Sequence, residues 1–181
     1  MDRRNILTLS TISMLGLALL PGTAAAQQKS LEEQLVGTWT LVSADTVRPD
    51  GSKTPNFGST PKGAAMHDAS GRFTFMLMRS DLPKFAVNNR NQGTADENKA
   101  AVQGSIAFYG TYSVNEADKT VTYRVEGSSY PNINGTEQKR IIVSLTANEL
   151  RYINPATTTG VRAEAVWKRA SDAPSVFDYY R

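Results

Sequence analysis

Residues 30–43 read Ser-Leu-Glu-Glu-Gln-Leu-Val-Gly-Thr-Trp-Thr-Leu-Val-Ser, and the order of signals in this stretch decides how the chain folds. Ser30 with Glu33 three positions later forms a capping box, in which each side chain satisfies the other residue's backbone N–H, so a short helix starts here. Gly37 ends it, because glycine enters the left-handed region without a Cβ penalty. The run from Thr38 to Val47 is rich in β-branched residues and predicts a strand, with Trp39, Leu41 and Ser43 on one face and Thr40 and Val42 on the other. The order is helix, Gly-x-Trp, strand.

Upstream of this stretch lies a segment with a different purpose. Arg3 and Arg4 precede a mainly apolar run from Ile6 to Leu20, and Ala24, Ala25 and Ala26 supply small residues before Gln27. This is the layout of a secretory signal peptide over 1–26, cleaved after Ala26, and it predicts a periplasmic or secreted protein. Thr8, Ser10, Thr11 and Ser13 interrupt the apolar run and leave it short of a bilayer span, so no stable membrane insertion is expected after cleavage. The Arg3-Arg4 pair fits a twin-arginine signal, and an ordinary Sec signal equally well.

The remainder divides into one domain over 27–170 and a C-terminal tail over 171–181, a length that suits a single core. The whole chain carries a net charge of +3 with its basic residues scattered, which gives no row of cations for phosphates and excludes a nucleic-acid partner. With no cysteine there are no disulfides, thiolate nucleophiles or sulfur-ligated metals. His67 is the single histidine, too little for a metal site or a Ser-His-Asp triad, and it reads as a structural or surface residue. No glycine-rich loop runs from a strand into a helix, so no nucleotide cofactor is expected, nor any other.

Past the turn at Pro49-Asp50-Gly51, Pro55, Gly58, Pro61 and Gly63 delay regular structure until about Ala64. A hairpin follows through 68–71, and its second strand carries Phe73, Phe75 and Leu77 on one face with Thr74, Met76 and Met78 on the other. A strand apolar on both faces calls for a cover or a ligand. The segment 80–104 supplies a candidate: a loop and then a second capping box at Thr94 and Glu97, read as a helical lid over a barrel mouth. From 105 onward an antiparallel meander sets in, its clearest alternation placing Val121, Tyr123 and Val125 opposite Thr122, Arg124 and Glu126. Strands are predicted to start near 38, 64, 72, 106, 120, 137, 149 and 162. Eight sequential strands with short turns suit an all-β, eight-stranded antiparallel up-and-down barrel, with a β-sandwich as the alternative.

Two features carry a family resemblance. Gly37-Thr38-Trp39 after a short helix resembles the N-terminal signature of lipocalins, which implies that Trp39 plugs the closed end of the barrel. It also implies that Arg169, ending the last strand, lies over the indole. More specifically, Phe108-Tyr109-Gly110-Thr111-Tyr112-Ser113-Val114, the loop from Val125 to Pro131 and Gly135-Thr136 followed by Arg140 resemble a bacterial and fungal family of lipocalin-like domains. The resemblance implies a small barrel with an internal cavity and transfers no catalytic residue. Where such domains often carry histidine, this chain has Thr122-Tyr123-Arg124.

Phe75, Phe108, Tyr112, Tyr123, Tyr152 and Trp167 are the candidate ligand-binding residues; Trp39 and Arg169 are structural. Tyrosine offers an apolar body with a hydroxyl that can orient a ligand. Tyr109, Tyr112, Tyr123, Tyr130 and Tyr152 with Arg124, Glu126 and Arg140 line a pocket mouth on one reading, where an arginine can hold a carboxylate. On the other they form a half-buried wall with Arg124 and Glu126 outside. Three functions follow: binding of a small hydrophobic or amphipathic molecule inside the barrel, a cofactor-independent isomerase or cyclase using the same cavity, or a filled barrel acting through its surface. A buried Glu or Arg beside the tyrosines would favour catalysis, and a cavity with at most one ionisable group would favour binding.

Overall fold

The computed structural model describes residues 29–171; the expected leader over 1–26 and, apart from its first residue, the expected tail over 171–181 lie outside them. Helix α1, Leu31–Leu35, starts at the expected capping box, with Ser30 Oγ accepting from Glu33 N and Glu33 Oε2 accepting from Ser30 N. Strand β1, Gly37–Val47, follows after one residue. Gly37 is favoured by its backbone, whose φ is +130°, and a Cβ there would also displace the tip of Arg169, meeting Nη1 at 2.6 Å.

The remaining strands are β2 (Lys53–Pro55), β3 (Lys62–His67), β4 (Arg72–Met78), β5 (Ser105–Asn115), β6 (Thr120–Ser128), β7 (Glu137–Leu145), β8 (Glu149–Asn154) and β9 (Ala163–Arg169). Helix α2, Ala95–Gly104, precedes β5 and begins at the Thr94/Glu97 capping box. From β3 to β9 each strand pairs antiparallel with the next, and β1 pairs with both β3 and β9, closing an eight-stranded barrel. The short β2 was not anticipated. It pairs with Asp45–Val47 on the edge that β3 uses for Gly37–Thr40, so these two strands share one side of β1.

Trp39, Leu41, Phe73, Phe75, Leu77, Phe108, Tyr112, Val121, Tyr123, Tyr152, Ala163, Ala165 and Trp167, expected to face inward, are all buried. Two sequence expectations are corrected. A bulge between Leu41 and Ser43 shifts the phase of β1, so Ala44 enters the core and Ser43 stays half-buried. The outer face of β4 also has no cover among the described residues: Met76 and its β3 neighbour Met66 remain 43% and 51% exposed.

The closed end is built as the resemblance implied. Trp39 is fully buried, donates Nε1–H to Leu35 O at 2.9 Å and carries the Arg169 guanidinium 4.1 Å above its ring. Arg169 also donates to Val36 O and Gln34 O, at 2.8 and 2.7 Å, and to Ala147 O. Carbonyls that the end of a helix leaves without partners are thereby satisfied.

Candidate functional site

Above the plug, aromatic side chains fill the barrel. Phe75 stacks on Phe108 at 5.2 Å between ring centroids and meets Tyr123 and Trp167 edgewise or tilted at 5.1 and 5.6 Å. Their hydroxyls are engaged within this packing. Tyr112 donates to Asp68 O at 2.8 Å, and Tyr123 Oη lies 2.9 Å from His67 Nε2. His67 is buried among Phe75, Tyr112 and Tyr123, and burial pushes its pKa down to about 3, so it is neutral at pH 7. Burial, helped by the charges of Glu32 and Asp68, raises Tyr112 to about 12.

Beyond this packed zone the barrel opens into a cavity of about 700 Å³. Phe108, Tyr152 and Arg140 line its inner part, with Leu77, Ile106, Ala44, Ala163 and Ala165 on the walls. Its rim comprises Ala101, Val102 and Gln103 from the last turn of α2, Ser129 and Tyr130, Asn56 and Phe57, and the loop residues Thr157, Thr158 and Thr159. Alanines at 44, 163 and 165 leave the space that larger side chains would fill. A volume of this size falls in the range of small-molecule sites, and an eight-stranded barrel has room for one small ligand.

Of the six candidate ligand-binding residues, Phe108 and Tyr152 line this cavity. Phe75, Tyr112, Tyr123 and Trp167 sit in the packed zone and do not. Tyr130 stands on the rim, whereas Tyr109 and Arg124 face outward and Glu126 pairs with Arg72 on the surface at 2.8 Å.

Arg140 is the polar centre of the cavity. Its pairing with the inward-facing Val121 turns it into the barrel, where it is only 6% exposed. Nη1 donates to Lys139 O at 2.7 Å and to Asn154 Oδ1 at 3.1 Å, and the guanidinium lies 5.9 and 5.7 Å from the ring centroids of Tyr123 and Tyr152. Nε is buried without a partner, as is Trp167 Nε1. The Tyr152 pKa is raised by burial, against the opposing influence of Arg140 and the Trp167 indole, so its hydroxyl keeps its proton. The only carboxylate on the cavity wall among the described residues is Glu164, held by Lys53 at 2.6 Å and by Arg162 at 3.6 Å; the Lys53 contact is the main cause of its lowered pKa. No cluster of three His, Cys, Asp or Glu capable of holding a metal ion exists among the described residues.

Gln138, Asn154, Ile133, Asn56 and Phe57 also line the cavity and were not singled out from sequence. Arg140 and Gln138 face inward because they pair with the inward-facing Val121 and Tyr123; the inward phase of β6 was readable from alternation, but the register that sets these β7 residues opposite it was not.

A curated relative from Aspergillus oryzae, the 4'-hydroxy-3'-methoxypropiophenone carrier protein ppsC, is 28% identical over 102 residues, covering 51% of this chain and 92% of the relative. Among solved structures, a redesigned β-barrel is similar at 12% identity and a TM-score of 0.41, covering 79% of this chain and 100% of the other. A deswapped triple mutant of bovine odorant-binding protein is similar at 16% identity and a TM-score of 0.37, covering 81% and 80%. The family model of the lipocalin-like domain matches residues 36–170, nearly the whole of the barrel just described, and the chain therefore belongs to the lipocalin-like domain family.

Proposed function

We propose that the protein binds and carries a small, mostly apolar molecule in the open end of its barrel. The observation that carries this reading is the cavity of about 700 Å³, bounded by Leu77, Ile106, Phe108 and small alanines, above a barrel end sealed by Trp39. The Aspergillus oryzae relative supports it, since its name makes it the carrier of a flat aromatic ketone. Helix α2 acts as one side of a lid, through the residues of its last turn on the rim. We place the protein outside the cytoplasm, on the strength of the leader over 1–26.

An enzymatic reading has one feature in its favour, the buried Arg140 beside two tyrosines, which suits stabilisation of a developing oxyanion. Proton abstraction also needs a base within hydrogen-bond reach. Among the described residues the cavity wall offers only Glu164, committed to Lys53 and Arg162, while His67 lies buried beneath. Carriage is therefore the better account.

The test is titration with a neutral, environment-sensitive dye, N-phenyl-1-naphthylamine, against wild type and Ala165→Phe. Wild type should bind one dye per chain, and the phenyl ring, projecting into the cavity, should weaken binding at least about tenfold. Equal affinity in the two proteins would put the dye elsewhere and remove the case for an internal site.

A further inference from the structure

We infer that the cavity contains an anion subsite centred on Arg140, so that the ligand is a flat or ring-bearing organic anion whose carboxylate, or comparably acidic oxygen group, is received there. This rests on the reading of the cavity as a ligand site. A guanidinium is charged at every accessible pH and presents five donors. Arg140 is 94% buried, uses Nη1 on Lys139 O and Asn154 Oδ1, and leaves Nε without a partner. Among the described residues no carboxylate pairs with it: the ion pairs formed by Glu164, Glu126, Asp81 and Glu149 all involve other cations. A buried charge is normally matched by an opposite one, because leaving it unmatched in a poorly solvated interior is costly. Here the apolar cavity opens directly onto it.

The neighbouring groups reinforce the sign. Accepting from Arg140 through Oδ1 leaves the Asn154 amide as a further donor, and the protonated Tyr152 hydroxyl is another. Gln138 donates one N–H to Thr136 Oγ1 at 3.1 Å and keeps a second N–H and its carbonyl beside them. Donors and one full positive charge thus converge at one end of the chamber, and the carboxylate on its wall, Glu164, is paired with Lys53 and Arg162. Such an arrangement recognises an amphiphile with an anionic head and a flat apolar body, the body lying against Phe108, Ile106 and Leu77.

A matched pair of dyes tests this. 8-Anilinonaphthalene-1-sulfonate and N-phenyl-1-naphthylamine share a ring skeleton and differ by the sulfonate. Wild type should bind the sulfonate about tenfold more tightly, the factor expected of a charge-assisted contact inside a cavity. Arg140→Gln and Arg140→Met should lose that preference, read within each protein as the ratio of the two dye affinities, and Ala165→Phe should lose both dyes; having two Arg140 variants guards against one that does not fold, with far-UV circular dichroism as the check. Parity of the dyes in wild type, or a preference that survives in a folded Arg140 variant, overturns the anion subsite and leaves the cavity reading standing. Failure of wild type to bind either dye overturns both.

Discussion

Replacing Arg169 by methionine tests the closed end of the barrel, because a single guanidinium joins α1, the β7–β8 turn and the plug. The substitution keeps most of the aliphatic stem and removes three things: the contact 4.1 Å above Trp39, the donors to Gln34 O and Val36 O, and the donor to Ala147 O. A partly desolvated cation–π contact is worth about 1 kcal/mol. The two helix-end carbonyls, part-buried, contribute about 1 kcal/mol each after allowing for the water they regain. The Ala147 contact is exposed and adds little. The total is about 3 kcal/mol, or a fall in Tm of about 6–12 °C for a domain of this size. Urea unfolding followed by far-UV circular dichroism measures it. A double-mutant cycle with Trp39→Leu isolates the ring contact, for which a coupling of about 1 kcal/mol is expected. A loss below about 1 kcal/mol for Arg169→Met would falsify the assignment of this residue as the clasp of the closed end, and zero coupling would restrict its action to the carbonyls of α1.

Two further outcomes are expected. The folded chain holds His67 at about 3 against 6.5 when unfolded, so below pH 6.5 the unfolded state binds a proton that the native state refuses; stability is complete above pH 6.5 and falls as pH drops toward 3. The slope approaches about 1.4 kcal/mol per pH unit once pH is well below 6.5, and comparing urea midpoints at pH 7 and 5 for wild type and His67→Leu should show it shrink in the variant. If the leader over 1–26 directs export, N-terminal sequencing of the protein recovered outside the cytoplasm should begin at Gln27; a start at Met1 in that fraction would contradict cleavage.

The barrel was legible in the sequence because period-two alternation and turn residues act over a few positions at a time. Strands expected near 72, 120, 137 and 149 begin at Arg72, Thr120, Glu137 and Glu149. Capping boxes at Ser30/Glu33 and Thr94/Glu97 are likewise local, and both form. The Trp39 and Arg169 pair was readable because closing an antiparallel barrel sets its first and last strands side by side.

The boundary between packed core and cavity was not legible. Phe75, Tyr112, Tyr123 and Trp167 share the inward phase with Phe108 and Tyr152, and alternation says nothing about depth along the barrel axis. Depth depends on the stagger of neighbouring strands and on bulges such as those between Tyr109 and Gly110 and between Ile142 and Ser144. In β7 the local pattern pointed nowhere, since Ile141, Ile142 and Val143 are consecutive; Ile141 and Val143 face out while Arg140 and Ile142 face in. The sequence by itself therefore determined the eight barrel strands, though not the short β2, together with the closure and the plugged end, which follow from neighbours along the chain and from the order of its strands. Only the tertiary structure decided that Arg140 is buried and where the cavity begins, because those depend on the pairing of Arg140 with Val121 and on which inward side chains meet across the barrel.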